Sequence, residues 1–193
     1  MTIRRSLAPG LLLAAPRLGD PNFERTVVLL ARHDDSGALG WIVNGRRVAP
    51  VAELLRSSGL VPEGVTLSAS PAFSRDARVG GPVTPESGWV FYRRDGAPLS
   101  GEIEIGEDLG VTGDLEALTA VVRGGDRDFR LLLGYAGWSP GQLDAEVRAG
   151  VWLPADVDAE LVLAEADDLW ERAYQQTIGA APAAFVSARG GSA

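Results

Sequence analysis

Residues 137–141 read Gly-Trp-Ser-Pro-Gly, a G-x-S-x-G spelling with an apolar run before it and a helical pattern after it. In that setting the spelling marks the nucleophile of a serine hydrolase, with the backbone N–H of the next residue forming part of the oxyanion hole. Here the next residue is Pro140, which has no N–H, so the donor needed where negative charge develops is missing. Proline also drives Ser139 toward extended dihedrals, the geometry of a helix N-cap. The one histidine, His33, lies far upstream, whereas elbow enzymes carry theirs downstream. Other triad orders exist, so this point supports the argument without deciding it. A structural reading accounts for each letter: Ser139 as N-cap, Pro140 at the first helical position, and Gln142 reaching back to close a capping box worth about 1 kcal/mol.

Three further groups could carry chemistry. His33-Asp34-Asp35 sets a histidine that titrates near neutral pH beside two carboxylates, a start for metal binding or acid-base work. Its plainer reading is a polar hairpin tip, since adjacent loop residues supply only part of a coordination shell. Asp20-Pro21 followed by Phe23 could hold a carboxylate in a pocket, but Asp before Pro more commonly opens a turn. Gly80-Gly81-Pro82 and Gly134-Tyr135-Ala136-Gly137 match neither G-x-G-x-x-G nor a Walker pattern, so close packing of chain on chain is the better use of these glycines. Tyr135 and Trp138 flank the second of these turns, as core or as a binding surface.

The bulk composition narrows the menu. With no cysteine there is no disulfide, thiolate metal site or thiol redox chemistry. All 18 basic residues are arginine, which excludes Schiff-base chemistry and a P-loop lysine. The net charge of -8 gives no bulk attraction to a polyanion, so direct nucleic-acid binding is disfavoured; Arg46-Arg47, Arg93-Arg94 and the tail around Arg189 are small clusters best read as solvated surface. No apolar run reaches the roughly 18 residues of a spanning helix, and the N-terminal apolar stretch is too short for a secretory signal and broken by Pro9 and Gly10. The expectation is a cytoplasmic protein with no membrane contact and no cofactor or metal.

The elements that must position these residues are mostly short strands. Leu11–Ala15, Thr26–Arg32 and Leu39–Asn44 read as three, with 33–38 as the hairpin loop between the last two; Val65–Leu67, Arg78–Val79, Gly88–Arg93, Gly101–Ile105 and Phe129–Tyr135 follow. Helices are expected over Pro50–Ser58, over Asp114–Arg123 with Leu115, Leu118, Val121 and Val122 on one face, over Leu143–Arg148, and over Asp168–Ile178. Strands outnumber helices and several are joined by hairpins, so the class is α+β with a mixed or antiparallel sheet. One domain over 1–180 and a flexible tail over 181–193 complete the organisation.

The signature around the opening motif, Leu133–Leu143 with Glu146 and Trp152-Leu153, resembles that of the bacterial YqgE/AlgH family. Four more blocks agree in order: Leu13–Pro16 with Asp20–Phe23 and Arg25–Val28; His33 with Gly37–Gly40 and Ile42–Asn44; Gly80–Val83; and Gly113–Leu118. The resemblance implies an α+β domain whose bifurcated sheet curls into a pseudo-barrel with packed helices. For function it implies little: one branch carries a transcriptional-regulator label, and no catalytic mechanism comes with the family. The chain has Asn44-Gly45-Arg46 where relatives look like Asn-Arg-Pro, and Gly88–Tyr92 where relatives often end a strand in histidine. Relatives also accept glycine at the Ser139 place, in keeping with a cap and not with a nucleophile.

The leading expectation is therefore a non-enzymatic regulatory or interaction domain. It would meet an unidentified protein partner on a surface around Asp20, Phe23, His33, Tyr135 and Trp138, with Gly80, Gly81, Pro82, Gly134, Gly137, Ser139, Pro140 and Gln142 serving turns and caps. The rival is a hydrolase or metal-dependent enzyme using His33 with Asp20, Asp34 and Asp114. Direct DNA binding is a third reading, for which the sequence offers no helix-turn-helix with a basic recognition helix.

Overall fold

The fold is taken from a computed structural model that describes residues 6–61, 67, 70–124, 128–165, 167–179 and 182. Among these, the strands are β1 (Gly10–Ala14), β2 (Val27–Asp34), β3 (Gly37–Ile42), β4 (Arg47–Pro50), β5 (Asp76–Val79), β6 (Val83–Arg93), β7 (Ile103–Ile105), β8 (Leu109–Thr112), β9 (Phe129–Trp138) and β10 (Trp152–Ala155). The helices are α1 (Val51–Ser57), α2 (Leu115–Gly124), α3 (Gln142–Arg148), α4 (Ala159–Leu163) and α5 (Leu169–Ile178), with one 3-10 turn at Pro71–Phe73. The class is α+β, as expected. All strand pairs are antiparallel except β5 with β9. The expected strand over Val65–Leu67 falls, Leu67 aside, outside the described residues, as does the tail apart from Pro182.

The chain forms two compact units, one of Met1–Asn44 with Ala136–Ala193 and one of Gly45–Tyr135, and the boundary runs through β9. In the first unit the strand order is β10-β1-β2-β3-β9. Both faces of its central strands are covered, which is why Leu11–Ala14 and Val27–Leu30 are buried without alternation. One face carries Leu12, Val28, Leu30, Trp138 and Trp152 with Leu143 of α3. Helix α5 packs on β1 and β2, with Trp170 Nε1 donating to the Ala14 carbonyl at 2.9 Å and the Tyr174 ring tilted at 58° to that of Trp170, centroids 5.1 Å apart.

In the second unit β9 pairs with β6, β8 pairs with β6 and β7, and β5 lies on β9 with β4 beside it. Strand β9 thus has three strand partners along its length, β6, β5 and β3, and the sheet forks there. The core joins Val51 and Leu55 of α1 to Val90, Tyr92, Phe129 and Leu131, with Phe73 edge-on to Phe129 at 5.4 Å.

Two apolar positions depart from the helical stripes. Leu115, expected on the buried face of α2, is 62% exposed, whereas Ala117 and Val121 of the same helix are buried. Ile178, four residues beyond the buried Trp170-Tyr174 pair, is exposed at the last turn of α5.

Candidate functional site

Strand β2 explains where the single histidine goes. Leu30 pairs with Gly40 and His33 with Ala38, so three residues of β2 span two of β3: a bulge at Ala31. Because Gly40 and Ala38 share a face, the bulge puts His33, and not Arg32, on the buried face with Leu30. The expectation of a polar hairpin tip is corrected here: His33 lies within β2, buried, and the turn is confined to Asp35-Ser36. Gly37 after it has φ 127°, and a Cβ there would lie 2.2 Å from the Trp138 carbonyl, so only glycine lets β3 start against β9.

Both ring nitrogens of His33 are engaged. The Leu7 N–H donates to Nδ1 at 3.2 Å, and Nε2 lies 3.4 Å from Asp144 Oδ2 on α3, with the two side chains 4% and 14% exposed. An Nδ1 that accepts carries no proton, so the neutral ring holds its proton on Nε2, facing the carboxylate. The Ser6 hydroxyl donates to the His33 carbonyl at 3.0 Å, so the segment before β1 is tied to this residue twice.

The G-x-S-x-G turn is wired differently from an elbow. Helix α3 begins at Gln142 with Gly141, at φ 73°, in the N-cap place, and no side chain caps it. The left-handed glycine moves the helix start beyond Pro140, leaving Ser139 exposed. What remains of the expected capping box is its glutamine half: the Ser139 N–H donates to Gln142 Oε1 at 3.0 Å. The Gln142 amide in turn donates to Glu146 Oε1 at 2.9 Å, one turn along the helix. Glu146 Oε2 accepts from two indoles, Trp138 Nε1 and Trp152 Nε1, each at 2.8 Å. One carboxylate therefore joins the end of β9, α3 and the start of β10. Phe23 closes the cluster, with ring centroids 6.3 Å from Trp138 and 5.6 Å from Trp152.

The remaining predicted residues sit in local structure. Asp20 is exposed and accepts from the Asn22 N–H at 2.8 Å, an Asx turn that delivers Phe23 to the tryptophans. Asp34 accepts from the Ser36 hydroxyl and, at 2.7 Å, from the Ser36 N–H; the hydroxyl first and the amide second hold its carboxyl below the usual carboxylate range. Asp114 accepts from the Ser100 hydroxyl at 2.9 Å and the Glu116 N–H at 2.7 Å, which lower its carboxyl in the same order. Tyr135 belongs to the second unit, edge-on to Trp89 at 6.3 Å. Gly80 and Gly134 cross closely: a Cβ on Gly80 would meet the Gly134 carbonyl at 2.6 Å, and one on Gly134, at φ 72°, the Gly81 carbonyl at 2.5 Å. Pro82 and Gly137 are exposed.

Of the expected surface, then, Phe23 and Trp138 come together, His33 meets α3 through Asp144, and Tyr135 is elsewhere. Asp144 and the segment Ser6-Leu7 are absent from the sequence reading; the signal available was that a lone buried imidazole must find polar partners. Among the described residues no three His, Asp or Glu side chains are grouped to hold a metal ion.

The family model described as AlgH-like matches residues 11–182. A UPF0301 protein of Anaeromyxobacter sp. (strain Fw109-5) is 41% identical over 193 residues, covering 96% of this chain and 95% of the relative. One of Myxococcus xanthus is 38% identical over 96% of this chain and 98% of its own length. The solution structure of the AlgH protein from Pseudomonas aeruginosa superimposes with a TM-score of 0.74 at 28% identity, covering 100% of this chain and 99% of that one. A crystal structure of a Corynebacterium diphtheriae protein shares the fold, with a TM-score of 0.68 at 22% identity over 92% and 90% of the two chains. The chain belongs to the AlgH-like family.

Proposed function

We propose that this protein is a non-catalytic interaction domain acting in the cytoplasm, with the regulatory label of its family taken as a role exerted through a protein partner. The observation that carries the reading is the occupancy of its acid-base groups. His33 has both nitrogens engaged by Leu7 and Asp144, Glu146 holds three donors, and Ser139 faces solvent with a proline where an oxyanion donor would be. A triad needs a base in hydrogen-bond reach of its nucleophile, and among the described residues none is bonded to Ser139. No helix among the described residues is long and apolar enough to cross a membrane.

The exposed Asp20–Phe23 turn is the face assigned to the partner, because a rigid aromatic platform stands directly under it. Two measurements test the reading. A panel of ester, amide and phosphate-ester substrates is expected to show no turnover; turnover lost in folded Asp144→Asn or Ser139→Ala protein overturns it. A native pull-down with mass spectrometry should recover a partner with wild type and lose it with Asn22→Arg, which changes an exposed side chain and none of the bonds above. Equal recovery with both moves the interface off this turn.

A further inference from the structure

The second unit contains a cleft of about 310 Å³ between α1, α2, β6 and β9. Its walls are aliphatic, lined by Leu54, Leu60, Leu118 and Leu131, and among the described residues the charged side chains lining it are Glu86 and Asp114. No residue of the aromatic cluster is among those lining it.

We propose that this cleft is a binding site for a small aliphatic ammonium compound, its hydrocarbon chain among the leucines and its cation between Glu86 and Asp114. Four observations carry it. The volume is at the lower end of the roughly 300–1,000 Å³ of small-molecule sites, and such sites combine apolar walls with a few placed polar groups. Leu115, at 62% exposure, borders the cleft from the first turn of α2, leaving apolar surface in water that a chain entering the cleft would cover. Among the described residues both lining charges are negative, in a chain of net charge -8, so a cation is accepted and a carboxylate of equal length is repelled. Asp114 is fixed in place by the Ser100 hydroxyl and the Glu116 N–H, so its charge is presented without ordering cost on binding.

The test is a titration of 15N-labelled protein with octylammonium, octanol and octanoate, each below its micelle concentration, followed by amide shifts. Octylammonium should move Leu54–Leu60, Gly88 and Gly113–Leu118 and bind about tenfold more tightly than octanoate, with octanol between them. The double variant Glu86→Gln, Asp114→Asn keeps an N-cap acceptor on α2 and should bring octylammonium down to the affinity of octanol. Leu118→Phe, or Leu54→Phe should the first fail to fold, fills the cleft and should weaken all three ligands. Octanoate binding as tightly as octylammonium, shifts confined to other residues, or no saturable shift with octylammonium at millimolar concentration overturns the proposal.

Discussion

Replacing Glu146 by alanine is expected to be among the most damaging single changes to a side chain that is not itself in the core. The carboxylate accepts from the indoles of Trp138 and Trp152 and from the Gln142 amide, at 2.8, 2.8 and 2.9 Å. The two tryptophans are 7% and 4% exposed, so both indole N–H groups lose their acceptor at largely buried positions. A buried donor stranded in this way costs about 1–3 kcal/mol, and the pair together about 2–6 kcal/mol. The exposed Gln142 amide rebonds to water and adds little. Glu146→Gln separates the causes: its carbonyl still accepts from both indoles, while its amide meets the Gln142 amide donor, a loss of about 1 kcal/mol. With a urea slope of roughly 2 kcal/mol per molar, Glu146→Ala should lower the midpoint by about 1–3 M and Glu146→Gln by about 0.5 M. Far-UV circular dichroism and tryptophan fluorescence should both be followed, since coincident curves are what license the conversion to free energy. An alanine variant within 1 kcal/mol of wild type, or a glutamine variant as damaged as the alanine one, refutes the reasoning.

Other expectations follow from the same geometry. Gly37→Ala places a Cβ 2.2 Å from the Trp138 carbonyl and should prevent folding, whereas Gly141→Ala, at φ 73° with nothing within 4 Å, should cost only about 1–2 kcal/mol by thermal denaturation. Equal costs at the two positions would show that backbone dihedral and not the clash decides. In 15N-1H correlation spectra the neutral ring of His33 should carry its proton on Nε2; a proton on Nδ1 would contradict the Leu7 N–H bond. Asp114 and Asp34 have folded carboxyl pKa values below the unfolded value of 3.8, so the stability they contribute is present above that pH and is lost as pH falls through the lowered values. Asp114→Asn should therefore flatten the acid limb of a stability-against-pH curve; an unchanged slope would remove Asp114 from that account.

How much of this was legible in the sequence depends on the length and periodicity of each segment. Strands β1, β2, β3 and β9 and helices α2, α3 and α5 fall within a few residues of where the apolar patterns put them. Strands β4, β8 and β10 and helix α4 are only 4 or 5 residues long, and β10 contains Pro154 while β8 contains Gly110, so neither propensity nor period could raise them above loop. Leu115 follows a different rule: the helical period places it on the apolar stripe correctly, but whether the core extends beneath the first turn is a tertiary fact that no periodicity encodes.

The site was legible as letters and not as connections. A strict alternation along β2 would pair Leu30 with Arg32 on one face and leave His33 opposite, so a single extra residue at Ala31 decides whether the imidazole meets water or Asp144. In the sequence alone this strand ends at Arg32 and His33 falls in the hairpin loop, because three polar residues in a row look like a tip and a bulge at one alanine leaves no composition cue. The signature on α3 behaves the other way. Gln142 and Glu146 are four apart, so the helix itself brings them together, and Trp138 and Trp152 bracket the helix at its two ends. Given a helix at 142–148, two indoles just outside it and one acceptor within it, a shared carboxylate follows from the need of each buried N–H for a partner. That is also why the G-x-S-x-G spelling misleads. The serine supplies a turn whose N–H is held by Gln142, and the residues that bind the segment to the fold are the tryptophan, glutamine and glutamate spaced around it.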